Sequence, residues 1–134
     1  MYEGITGIKT IFEDILKTKQ DIKGYGNTHL MIELLEHYVP SYIKKRIEEK
    51  IFFQLLTEPS QNSRNMQKED KKSFRETRFI KQLQTISTAT YIYGNKVAII
   101  TLLKKEPLGI LIENEEVSKS QRTLFNILWE NAEK

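Results

Sequence analysis

The sequence contains no cysteine, which excludes disulfide staples, thiolate nucleophiles and cysteine-held metals and makes a cytoplasmic setting the expectation. No apolar run reaches the length of a bilayer-spanning helix, and the first residues lack the hydrophobic core of a signal peptide, so no membrane partner is expected. Histidine is nearly absent. His29 and His37 are the two present, eight residues apart, and no further histidine or cysteine stands at metal-site spacing beside them. They read as surface residues, with no metal and no cofactor expected. The full glycine fingerprints of nucleotide-binding loops are missing too. GYGN, residues 24–27, carries two glycines but reads as a simple strand-to-helix turn. Charge of one sign is also lacking: 21 Lys and Arg stand against 18 Asp and Glu, for a net +3. The signs are mixed almost everywhere, whereas a nucleic-acid binder concentrates a basic face.

What remains is ordinary globular material. With 134 residues, 39% hydrophobic and 29% charged, the chain suffices for one domain with a real core and is short for two. Ile5, Ile8, Ile11, Phe12, Ile15 and Leu16 recur at helical spacing, with Lys17 and Lys19 suited to the negative end of the dipole. A short strand over 21–27 follows. Asn27 or Thr28 can cap a helix that turns Leu30, Met31, Leu34 and Leu35 inward. Pro40 is expected to end or kink it near Val39, with Ser41 capping a continuation. That continuation, KKRIEEK at 44–50, balances its basic residues with glutamates and reads as a solvated helix face.

Residues 51–59, IFFQLLTEP, form a compact apolar run that predicts a buried strand. Residues 60–76 then turn polar and read as either a surface helix or a mobile loop. Arg64, Lys68, Lys71, Lys72 and Arg75 make this the densest positive stretch. An extended pattern resumes over 76–84. The stretch 88–129 organises the rest: a strand, a Gly94-Asn95 reversal, a second strand, a turn over 104–107, and a third strand. Ser118 with Gln121 predicts a capping box, and Leu124, Phe125, Leu128, Trp129 and Ala132 predict one inward stripe on a helix from about Ser118. Together these elements predict an α/β sandwich with a mixed sheet, antiparallel in its C-terminal hairpins and flanked by helices.

Four blocks carry a family resemblance: YEGITGIKTIFEDIL at the start, RETRFI in the middle, then YIYGNKVAIITL, and QRTLFNILWENA at the end. In that order they resemble the C-terminal domain of TrmB-like transcriptional regulators. In that family a winged helix-turn-helix binds DNA, and the following domain, similar to half of a phospholipase D fold, serves as sensor or regulatory module. The resemblance implies a single regulatory domain over 1–134, with the winged-helix DNA-binding domain absent from this chain and DNA reached only through it.

Active phospholipase D-like enzymes carry a His-x-Lys-x-x-x-x-Asp motif on a strand and the following turn. If YIYGN marks that strand, the three positions fall on Thr88, Thr90 and Asn95. A threonine without an adjacent base is a poor nucleophile. Thr90 brings no positive charge for a developing phosphorane, and Asn95 does not titrate. No catalytic residue is therefore expected, and binding is what the fold has left. Tyr25, Arg78, Thr88 and Thr90 are the candidate ligand-binding residues at the sheet end near this degenerate motif. Arg78 can hold an anion bidentately or make a surface ion pair with a nearby glutamate. A sugar or anion effector and a homodimer are the expected partners. A phospholipase D-like phosphodiesterase or nuclease and a purely structural dimerisation module are the alternatives.

Overall fold

The computed structural model describes residues 1–134. A two-residue strand β1 (Tyr2–Glu3) leads into helix α1 (Gly4–Thr18), strand β2 (Ile22–Gly26), and helices α2 (Thr28–Leu34) and α3 (Val39–Glu48). Strand β3 (Phe53–Thr57), helix α4 (Gln61–Lys68) and strand β4 (Arg75–Phe79) follow. A 3₁₀ turn at Lys81–Thr85 then connects to the strands β5 (Thr88–Tyr93), β6 (Lys96–Thr101) and β7 (Leu108–Glu113) and the closing helix α5 (Glu115–Glu130). The strands form one seven-stranded sheet in the order β1-β7-β6-β5-β2-β3-β4.

The pairings follow from the connections. The β5–β6 turn is a tight reversal with Gly94 at φ 59°, so these strands are antiparallel, and a positive φ at the first turn position favours glycine. Strands β2, β3 and β4 run parallel, and the helices between them supply the long crossovers that parallel pairing requires. The sheet is therefore mixed, antiparallel through its C-terminal hairpins, in an α/β sandwich.

Each sheet face has its own apolar layer. Ile8, Ile11, Phe12 and Ile15 of α1 join Tyr91 and Tyr93 of β5 in the larger core, to which α2 and α3 also contribute. On the other face Phe125 and Trp129 of α5 close over Leu56, Leu83, Ile92 and Val97. Helix α1 ends at Lys19, whose left-handed backbone (φ 56°) lets its N–H return to the Ile15 carbonyl. No helix is long and apolar enough to cross a membrane.

Several local expectations change. Helix α5 starts at Glu115, because the Asn114 side chain accepts from the Val117 N–H and two glutamates follow at the positive end of the dipole. Ser118 lies inside the helix and donates to the Glu115 carbonyl. The capping box of this chain is instead Ser60 with Ser63, which starts α4 and makes residues 61–68 helical. Leu124 and Leu128 face outward, 55% and 39% exposed, while Phe125 and Trp129 face inward. Helix α2 stops at Leu34, and Pro40 sits in the first turn of α3, where its missing N–H leaves no bond unmade. Ser41 does not cap; its hydroxyl donates to the Tyr38 carbonyl. The extended pattern of 76–84 holds only to Phe79 and then tightens into the 3₁₀ turn.

Candidate functional site

The register of the sheet brings the four candidate residues together on one face. Thr90 pairs with Tyr25, Tyr25 with Leu56, and Leu56 with Arg78, and partners across a sheet share a face. Thr88 lies two positions before Thr90 and so points the same way. This is the face that α5 covers. The Tyr25 hydroxyl donates to the Gln121 side chain at 3.0 Å. Arg78 donates through Nη1 to the Trp129 carbonyl at 2.9 Å, meets Glu76 at 3.3 Å, and lies 4.4 Å from the Trp129 ring centroid. Thr90 is 5% exposed. No sizeable cavity opens among the four; Tyr25 alone lines a recess of about 10 Å³.

The sheet end beside Thr88 is occupied by the chain itself. Asn27 donates through its side chain to the Gln84 and Ile86 carbonyls at 3.4 and 3.3 Å, and its backbone N–H reaches the Thr88 carbonyl at 3.4 Å. Gly26 explains how β2 comes so close: a Cβ there would lie 2.6 Å from the Thr88 carbonyl oxygen and 2.7 Å from the Ala89 Cα. The second glycine of GYGN is thus needed for strand contact. Thr88 and Thr90 sit on β5, while Asn95 is exposed in the turn at the strand's far end.

A cavity of about 300 Å³ lies on the opposite face, between β3 and the helices α2, α3 and α4. Twelve of its 17 lining residues are hydrophobic. Its aromatic wall is fixed by edge-on packing, Phe12 against Tyr42 at 4.9 Å and against Tyr91 at 5.4 Å between centroids. Arg46 also lines it, although only 1% of that residue is exposed.

Arg46 corrects the reading of 44–50 as a solvated face. It lies one turn after buried Tyr42, so the helix carries both inward. The guanidinium donates through Nη1 to the Ile51 and Phe74 carbonyls at 2.9 and 3.0 Å, and through Nη2 to the Ser73 carbonyl at 2.6 Å. Its buried Nε has no partner. It belongs to none of the molecule's ion pairs. Burial pulls its pKa down to about 10. The neighbouring Arg75 is already neutralised, its Nε donating to Asp70 at 2.7 Å. Two signals in the sequence pointed to Arg46: its i+4 spacing from Tyr42, and its place beside Ile43 and Ile47 on the apolar side.

In class, then, the chain is an α/β sandwich with one helix on one face, several on the other, and an arginine-bearing apolar cavity among the latter. No family model matches it, and no curated protein does. Among solved structures it is similar to TrmBL2, an archaeal chromatin protein described as showing a novel mode of DNA binding, with a TM-score of 0.66 and 16% identity. The match covers 95% of this chain and 49% of that one, so the chain spans about half the length of TrmBL2. At this identity the likeness is one of fold.

Proposed function

We propose that the chain is a non-catalytic regulatory domain of the TrmB-like transcriptional-regulator type, a phospholipase D-like half-sandwich that senses a small effector and pairs with a second copy of itself. The observation that carries this reading is the content of β5 and its turn. If YIYGN marks the motif strand, as the resemblance implies, Thr88, Thr90 and Asn95 take the places of the nucleophile, cation and carboxylate of the related hydrolases, and function follows the site rather than the fold. The likeness to about half of TrmBL2 supports the same reading. DNA contact then belongs to a winged-helix domain outside these residues, and the setting is the cytoplasm.

Two features favour sensing and pairing over hydrolysis. The apolar cavity offers a partly open volume at the lower end of ligand-site sizes. The outer face of α5 exposes Val117, Leu124, Ile127 and Leu128, an apolar stripe without a partner inside the chain. In this reading the stripe is the self-association face, and Tyr25 and Arg78 serve it from below by holding α5 on the sheet through Gln121 and Trp129. Sedimentation at two concentrations tests the pairing: a dimer that Leu124→Glu dissociates supports it, and a strictly monomeric wild-type chain at high concentration overturns it. Thermal-shift screening with sugars, small anions and organic acids tests sensing, because a ligand that binds only the folded state raises the melting temperature. A flat response to every class overturns that half of the reading.

A further inference from the structure

We infer that the cavity beneath α2 and α3 is the effector site and takes a small aromatic monocarboxylate, its ring among the aromatic side chains and its carboxylate on Arg46. The inference rests on the regulatory reading and gives that reading a ligand class.

The charge comes first. Arg46 has five N–H donors, and the three carbonyl contacts it makes leave Nε and one Nη2 hydrogen free. A buried guanidinium with an unused donor is costly, and buried cations are normally matched to an anion. No carboxylate of this chain fills that role. Asp70 is taken by Arg75 at 2.7 Å, and Glu69, at the cavity wall, is exposed and lies 3.6 Å from Lys72. Glu13 sits toward Tyr38, where it helps burial push the phenol up to about 12. The positive charge left over in the wall is that of Arg46.

The remaining lining decides which anion fits. Two free hydrogens match one carboxylate oxygen or a side-on carboxylate pair, and they fall short of the acceptors a phosphate presents. A sugar would bury hydroxyls against a wall in which 12 of 17 residues are hydrophobic, and unpaired hydroxyls are costly there. The apolar part of the ligand meets Phe12, Tyr38, Tyr42, Phe53 and Tyr91. Phe12 already makes edge-to-face contacts with two of these rings, and a planar ring extends that packing where a chain or a branched group would not. Arg46 lies 5.6 Å from the Phe53 ring centroid, so the charged and aromatic ends of the site adjoin.

Calorimetric titration of the purified chain with phenylpropionate and with its neutral analogue phenylpropionamide tests the assignment. Saturable one-to-one binding of the acid is expected, with the amide weaker by about tenfold or more for the lost charge-assisted hydrogen bond. Arg46→Gln is expected to erase the difference between acid and amide. Because that substitution acts inside the core, Ile43→Trp provides a second test: it fills the half-buried cavity edge, keeps Arg46, and abolishes binding of both compounds in a chain that still melts cooperatively. Equal affinity for acid and amide, no saturable binding of the acid, or unchanged binding in Ile43→Trp overturns the inference. A sugar or phosphate that raises the melting temperature while the acid does nothing overturns it too, and leaves the regulatory reading standing.

Discussion

Arg78 lies over the indole of Trp129, its guanidinium carbon 4.4 Å from the ring centroid, and donates to the Trp129 carbonyl at 2.9 Å. One side chain therefore ties β4 to the last turns of α5 through both a cation–π contact and a hydrogen bond. Arg78→Ala is expected to destabilise the chain by about 2 kcal/mol, the sum of those two contributions. Arg78→Lys recovers only part of it, because an ammonium cannot stack and donate in the same planar geometry. Urea denaturation measures both. A loss within a few tenths of a kcal/mol for the alanine variant contradicts the anchoring role.

The start of α5 gives a second comparison. Asn114→Ala removes the side-chain acceptor of the Val117 N–H and is expected to cost about 1 kcal/mol. Ser118→Ala removes a hydroxyl that donates within the helix and replaces it with the best helix former, so its effect is smaller. The reverse order of the two losses would place the cap at Ser118.

Alkaline pH tests the larger core. Burial raises Tyr42, Tyr91 and Tyr93 well above the ordinary tyrosine value, and the Asp14 carboxylate adds to the effect at Tyr93. Tyr38 is pushed up to about 12. Groups with raised folded-state values stabilise the fold fully below the unfolded value, near 10, and lose that contribution as pH climbs through the folded values. Arg46 acts oppositely, since its fall from 12.5 to about 10 makes the fold gain stability across that interval. Lys23, also lowered by burial, acts in the same sense as Arg46, and the four tyrosines outweigh the two. Stability is therefore expected to decline above about pH 10, with phenolate absorbance rising together with loss of the circular dichroism signal. Phenolate formation by more than two of the six tyrosines well before unfolding contradicts the burial of these four.

Much of the fold was legible in the sequence because its signals were local. The helical spacing of Ile8, Ile11, Phe12 and Ile15 needs no partner to be read, and they form the buried face of α1. The hairpin at Gly94 is equally self-contained. Where tertiary context decides, the reading failed. Leu124 and Leu128 differ little in composition from Phe125 and Trp129, and only the position of the sheet turns one pair inward and the other outward. Asn114 was hidden in the tail of a strand, whereas Ser118 stood in a recognisable spacing.

The candidate site divides in the same way. Tyr25, Thr90 and Arg78 lie far apart in sequence, yet strand register alone aligns them in one row. Arg46 escaped because charge in a mixed KKRIEEK run reads as solvated surface. Its burial depends on the carbonyls of Ile51, Ser73 and Phe74, of which the latter two come from a segment some 27 residues away. No pattern along one helix reveals partners at that distance.

The central claim is that this sandwich recognises rather than hydrolyses. The most direct measurement is turnover of a generic phosphodiester by the purified chain, with Thr88→Ala run beside it. The account predicts no rate above the uncatalysed background for either protein, because β5 offers no activated nucleophile. Turnover by the wild-type chain that Thr88→Ala abolishes would contradict it.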